Sequence, residues 1–125
     1  MEPKTAYLRL LCIILVCAQI NNSKMRESDI QRKILKYLES QGGYAVKVVV
    51  ANRSGVPDIL YCLDGEFWAF EVKSPKGKQS PSQAWNQEQI EKAGGKYFVV
   101  CSIEEVKQIL GEYVKRKGNL QPTSN

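Results

Sequence analysis

Two carboxylates and a lysine stand at the ends of one apolar stretch: Asp58 in Gly55-Val56-Pro57-Asp58, and Glu71 and Lys73 in Glu71-Val72-Lys73. The stretch between them, Ile59 to Phe70, is interrupted at Asp64-Gly65, a strong two-residue hairpin signal. Asp58 lies six residues before Asp64 and Glu71 six after Gly65, so a tight turn pairs them across antiparallel strands with both side chains on one face. Lys73, two residues beyond Glu71, shares that face. Facing carboxylates repel each other unless a cation lies between them. The flanking Val56, Ile59, Leu60, Phe70 and Val72 are apolar, which sets the cluster at the edge of a core. Acids that hold a cation, with a lysine beside them, are equipped to hydrolyse a phosphodiester. The cation neutralises phosphate charge, and the lysine orients or helps deprotonate water and stabilises charge at five-coordinate phosphorus. The Val72 carbonyl, at the same edge, offers a further oxygen. The competing reading is a solvated surface cluster of charges.

Composition narrows the chemistry. At 125 residues, 43% hydrophobic and 25% charged, the chain has the make-up of one ordinary globular domain. A net charge of +5 is a mild bias towards anionic partners, nucleic acid among them. There is no histidine, which excludes a Ser-His-Asp triad, a Cys-His pair and any histidine-metal nuclease. Catalysis is left to carboxylates, lysine or tyrosine. Oxygen donors of this kind imply Mg²⁺ or Mn²⁺, with no small-molecule cofactor beyond the metal.

The elements that must position the cluster follow from periodicity. Residues 1–24 contain Lys4 and Arg9, then the apolar run Leu10 to Ala18, too short to span a bilayer. They read either as a signal peptide or as an extension upstream of a working start at Met25. A cytoplasmic location is expected, or secretion if the signal peptide is genuine. A nuclease domain is expected over 25–117 and a disordered tail over 118–125. Ile30, Ile34, Tyr37 and Leu38 predict a helix over Ser28–Ser40, with Ser28 and Gln31 as its capping box. Tyr44–Ala51, dense in valine, predicts a strand buried on both faces. Strands follow at Asp58–Leu63 and Glu66–Lys73, then a basic loop, a helix over Ser82–Ala93 and a strand over Lys96–Cys101. A last helix is capped by Ser102 with Glu105, and the chain frays from Lys117. The order α-β-β-β-α-β-α is a small mixed sheet with helices packed on it.

Gly55-Val56-Pro57-Asp58 followed by Phe70-Glu71-Val72-Lys73 resembles the Pro-Asp…Glu-x-Lys signature of the restriction-endonuclease-like nucleases, and within them the VRR-NUC family. Glu27 opening the first helix and Ser80-Pro81-Ser82-Gln83 opening the second agree with it. The resemblance implies an α/β fold with an αβββαβ core, a mixed four-stranded sheet in order 1-2-3-4 with the second strand antiparallel, flanked by helices. It implies divalent-metal-dependent hydrolysis of DNA, with Asp58, Glu71 and the Val72 carbonyl as metal ligands and Lys73 as the catalytic lysine. Glu27 would be a further acidic member, directly or through water; by position alone it is equally an acid placed near a helix dipole. Gln83 would line the site and position Lys73, water or phosphate. Small stand-alone members resemble Holliday-junction resolvases, which implies a homodimer acting on branched DNA and no membrane partner.

Arg53, Ser54, Lys76 and Lys78 flank the cluster as candidate nucleic-acid contacts, Ser54 standing where another basic residue would be looked for. Trp85 is expected to pack in the core, with base stacking as the other reading. Cys62 and Cys101, separated by a strand in the implied order, are expected to be reduced. The reading is a structure-selective DNA endonuclease; a non-catalytic nucleic-acid-binding module and a secreted nuclease are the alternatives.

Overall fold

Ile30, Ile34 and Leu38, spaced to fall on one helix face, are buried along α1 (Glu27–Ser40). The computed structural model describes residues 26–120; the extension over 1–24 and residues 121–125 lie outside the described residues. After α1 come β1 (Tyr44–Lys47), β2 (Ile59–Leu63), β3 (Glu66–Val72), α2 (Pro81–Lys92), β4 (Lys96–Val100) and α3 (Ile103–Leu120). The sheet order is β1-β2-β3-β4, with β1–β2 and β2–β3 antiparallel and β3–β4 parallel. The α/β architecture and strand order are those expected. Among the described residues no helix is long and apolar enough to cross a membrane.

Alternation along β3 divides the sheet. Trp68, Phe70 and Val72 face the main core, where Trp68, Phe70 and Phe98 stack and Tyr113 of α3 meets Trp68 edge-on at 4.8 Å. Ile34 and Leu38 of α1 and Val106 and Leu110 of α3 close this layer, each fully burying a side chain worth roughly 1.5–3 kcal/mol. The Tyr61 hydroxyl donates to the Leu38 carbonyl at 2.8 Å, a second bond to an oxygen in the last turn of α1 that also accepts the Gln41 N–H. Ala69, Glu71 and Tyr97 belong to the opposite face, and α2 packs against β4 on that side.

The β2–β3 turn is the expected one. Asp64 (φ 54°) and Gly65 (φ 78°) both adopt positive φ, as a type I′ turn requires. Pairing then runs from Leu63↔Glu66 to Ile59↔Phe70, so Asp58 falls opposite Glu71 one step beyond the ladder.

Several local expectations are corrected. Helix α1 begins at Glu27 with Arg26 as an N-cap that makes no side-chain bond, so the Ser28–Gln31 box does not form. Ser28 lies inside the first turn, and Gln31 is buried instead. Strand β1 ends at Lys47 and is not buried on both faces: Tyr44 and Lys47 are exposed. Val48 donates its N–H to the Asp58 carbonyl at 2.8 Å, and the chain then departs, leaving Val49 81% and Val50 88% exposed. The reason is the edge: β1 has one neighbour, β2, and β2 starts only after Pro57, which has no N–H to continue the ladder. The last helix does not fray at Lys117 but runs to Leu120, and Lys117 pairs with Asp64 at 3.1 Å. Ser102 caps this helix as expected, its Oγ accepting the Glu105 N–H at 3.3 Å, but the Glu105 carboxylate accepts from the Cys101 N–H at 2.8 Å and not from Ser102. Cys62 is a free, exposed thiol and forms no disulfide with Cys101, as expected.

Gly55, in the loop before β2, lies against the first turn of α2. Its φ is +76°, and a Cβ there would lie 2.5 Å from the Ser82 carbonyl carbon and 2.7 Å from the Gln83 nitrogen, both backbone. Gly65 also has positive φ, but a Cβ there meets nothing within 4 Å. Gly65→Ala is therefore expected to cost about 1 kcal/mol, and Gly55→Ala about 2 kcal/mol or more, since backbone must move. Chemical denaturation of the two variants checks the difference; equal costs would show that the loop yields freely.

Candidate active site

The end of the β2–β3 ladder opposite the turn is where the predicted acids meet. Asp58 Oδ2 accepts the Val72 N–H at 2.8 Å, so a side chain ends the β2–β3 ladder. A residue's N–H and C=O leave a strand on the same edge, so the Val72 carbonyl also faces the Asp58 side. Glu71 is 2% exposed. Its Oε1 accepts from Gln83 Nε2 at 2.9 Å and lies 3.9 Å from Lys73 Nζ, while its Oε2 is buried without a hydrogen-bond partner.

Helix α2 supplies Gln83 in a fixed orientation. Ser80 is the N-cap: its hydroxyl accepts the Gln83 N–H at 3.2 Å, and Gln83 Oε1 accepts the Ser80 N–H at 2.8 Å. Pro81 follows at the first helical position, where its missing N–H costs nothing. Because the amide oxygen is held by Ser80, the amide NH₂ must face Glu71. One side chain thus caps a helix and grips the buried acid. A glutamate at this position would cap equally well but present a like charge to Glu71.

Glu27 is exposed in the first turn of α1, and its Oε1 accepts the Ser74 N–H at 3.2 Å. Among the described residues no three acidic, cysteine or histidine side chains form one metal-ligating group. Asp58 and Glu71 with the Val72 carbonyl are the oxygens that converge, and Glu27 stands at the rim. Ser54, Lys76 and Lys78 are exposed, as is Arg53. Trp85 is not in the core as expected: it is 48% exposed and lies under the Arg53 guanidinium, 5.5 Å from ring centroid to Cζ.

Two members were not foreseen. Asn86, buried on α2, donates from Nδ2 to the Ser54 carbonyl at 2.9 Å and to the Ser82 carbonyl at 2.8 Å, tying the loop before β2 to the helix. Nothing local marks that role, because the partner lies 32 residues away. Tyr97 is buried on the Glu71 side of the sheet, and its hydroxyl accepts from Gln79 Nε2 at 3.3 Å. Burial raises its pKa, the Gln79 bond opposes this, and the charges of Glu71 and Asp58 raise it further. Here there was a signal: alternation on β4, in parallel register with β3, puts Tyr97 on the same face as Ala69 and Glu71.

The electrostatics of the cluster centre on Glu71, whose pKa is raised from 4.5 to about 8. Burial is the largest cause and the adjacent Asp58 carboxylate the next; Lys73 pulls downward without cancelling them, and Glu27 adds to the rise. A divalent cation fits this deficit. It would satisfy the orphaned Oε2, relieve the repulsion between Asp58 and Glu71, and find only oxygen donors, the set preferred by Mg²⁺ and Mn²⁺.

The family profile described as "Archaeal holliday junction resolvase (hjc)" matches residues 22–108. A solved structure titled "VRR_NUC domain" superposes with a TM-score of 0.64 at 33% identity, covering 72% of this chain and 99% of that one. A protein of Acyrthosiphon pisum secondary endosymbiont phage 1, named "Putative nuclease p44", is 32% identical over 79 residues, 62% of this chain and 85% of its own length.

A raised carboxyl pKa means that the folded protein holds a proton the unfolded chain has released. The stabilisation is full below pH 4.5 and is lost as pH rises through about 8. In divalent-free buffer the melting temperature is therefore expected to fall across that window. A tenfold difference in proton affinity between the folded and unfolded chain is worth about 1.4 kcal/mol. Glu71→Gln should remove most of the slope, leaving the part due to buried Glu105, whose pKa burial also raises. Thermal denaturation from pH 4 to 9 checks this; an unchanged slope in Glu71→Gln would show that Glu71 does not hold the proton.

Proposed function

The chain belongs to the Hjc and VRR-NUC group of restriction-endonuclease-like nucleases, and on that premise we propose that it is a divalent-metal-dependent endonuclease acting on branched, Holliday-junction-like DNA. The observation that carries the metal dependence is buried Glu71 beside Asp58, with one oxygen left without a partner. The junction preference is supported by the family match over residues 22–108. Two copies acting together would meet the need to cut two strands of a symmetric junction.

Asp58, Glu71 and the Val72 carbonyl would hold Mg²⁺ or Mn²⁺. When bound, such a cation neutralises phosphate charge and makes an attacking water easier to deprotonate. Gln83 keeps Glu71 Oε1 directed into the site, so the acid need not reorganise when substrate arrives. Lys73, less buried than Glu71 and adjacent to it, directs its ammonium to where the scissile phosphate must approach. There it orients water and stabilises the charge that grows on the non-bridging oxygens. Glu27, tethered to the Ser74 N–H, holds the chain just beyond Lys73 and adds negative charge at the rim. The outlying Arg53, Lys76 and Lys78 would bind phosphates away from the cut.

Cleavage of labelled four-way junction, flap, linear duplex and single-stranded DNA in Mg²⁺ or Mn²⁺ tests the reading. Activity should vanish in EDTA. Lys73→Ala and Asp58→Asn should lower it roughly 10²- to 10⁴-fold. The asparagine retains an acceptor for the Val72 N–H, so loss of activity would not be loss of fold. A wild-type protein that cuts none of these substrates with either metal would sink the proposal. Metal-independent binding without cleavage would favour a non-catalytic nucleic-acid-binding module.

A further inference from the structure

Arg53 and Trp85 lie outside the acid cluster, on the loop and the helix that Asn86 ties together. Trp68, the other tryptophan of the chain, is 1% exposed and central to the core; Trp85 leaves about half of its ring in water. Among the described residues, packing therefore does not account for an indole at position 85. Over it lies the Arg53 guanidinium, a second plane, itself exposed. The loop that carries Arg53 also carries Val49 and Val50, the most exposed of the large apolar side chains among the described residues.

Two chemical demands define what such a surface takes. The indole needs a flat apolar face, and the guanidinium needs negative charge. A nucleotide whose base has left its stack offers both in one unit, the base on the indole surface that the guanidinium leaves uncovered. A base within continuous duplex presents only its edges.

We propose that Arg53 and Trp85 form a subsite for one unstacked nucleobase of a DNA strand, with the indole as stacking plane and the guanidinium on the adjoining phosphate. That the strand is the enzyme's substrate rests on the nuclease reading. The subsite is rigidly indexed to the cluster: Asn86 holds the Ser54 carbonyl, Gly55 abuts the backbone of Ser82, and Asp58 follows three residues later. It selects DNA with an interrupted stack near the scissile phosphate, as at a branch, gap or single-stranded end, over uninterrupted duplex.

The test uses the full chain in EDTA, where no strand is cut. Tryptophan fluorescence is titrated with an oligothymidylate and with an abasic strand of equal length. The oligothymidylate should quench Trp85, Trp68 being out of reach, and should bind roughly tenfold more tightly than the abasic strand. Trp85→Ala should lose that advantage, binding the oligothymidylate roughly tenfold more weakly and the abasic strand unchanged. Trp85→Phe, which keeps a stacking plane, should retain base selectivity by anisotropy of a labelled strand while losing the quench. Equal affinity of the wild type for the two strands overturns the proposal, as does an equal loss for both in Trp85→Ala. A change in association state in Trp85→Ala with DNA affinity untouched also overturns it, assigning the face to a second copy. Base-selective binding without cleavage in Mg²⁺ or Mn²⁺ leaves the subsite standing and removes the nuclease reading; cleavage without base selectivity removes the subsite alone.

Discussion

A carboxyl group buried as deeply as Glu71, next to a second acid, is the costliest arrangement in this fold, and much of the surrounding structure answers to it. Without a cation, the repulsion is relieved by a proton, which is why the Glu71 pKa is raised to about 8. With a cation the same geometry becomes favourable. Stability and chemistry therefore oppose each other at this point: the repulsion that costs stability is what favours binding of the ion.

Three different elements hold that pair in place, each doing so with a group that also has a structural task. Asp58 completes the β2–β3 ladder through the Val72 N–H. Gln83 closes the capping box of α2 while holding Glu71. Gly55 lets the loop before β2 press on the first turn of α2, where Asn86 fastens it. Shared use of this kind couples the site to the fold, since neither Asp58 nor Gln83 can shift without loosening a strand end or a helix start.

The places where sequence patterns misled are edges and ends. A run of valines reads as a doubly buried strand, but strand propensity carries no information about neighbours. β1 is an edge, and its ladder stops where Pro57 breaks β2, so Val49 and Val50 are left in water. Trp85 reads as core by its size, yet it lies on the side of α2 turned to the loop rather than to the sheet. The polar composition after Lys117 reads as a frayed tail, but Lys117 reaches Asp64 at the hairpin tip and the helix continues. In each case a residue distant in sequence decided the outcome.

What the sequence determined by itself is what depends on short-range geometry. The Asp64-Gly65 turn sets the register of two strands, the register sets Asp58 opposite Glu71, and a period of two sets Lys73 on the same face. These follow from local sterics and hold whatever the rest of the chain does. Tertiary structure alone decided how deep the acids lie, that Gln83 turns its NH₂ to Glu71, that Glu27 is held at the rim by the Ser74 N–H, and that Arg53 covers an exposed Trp85. Those are contacts between elements 12 to 47 residues apart, and burial, which sets the charge state of Glu71, is a property of the packed whole rather than of any segment of it.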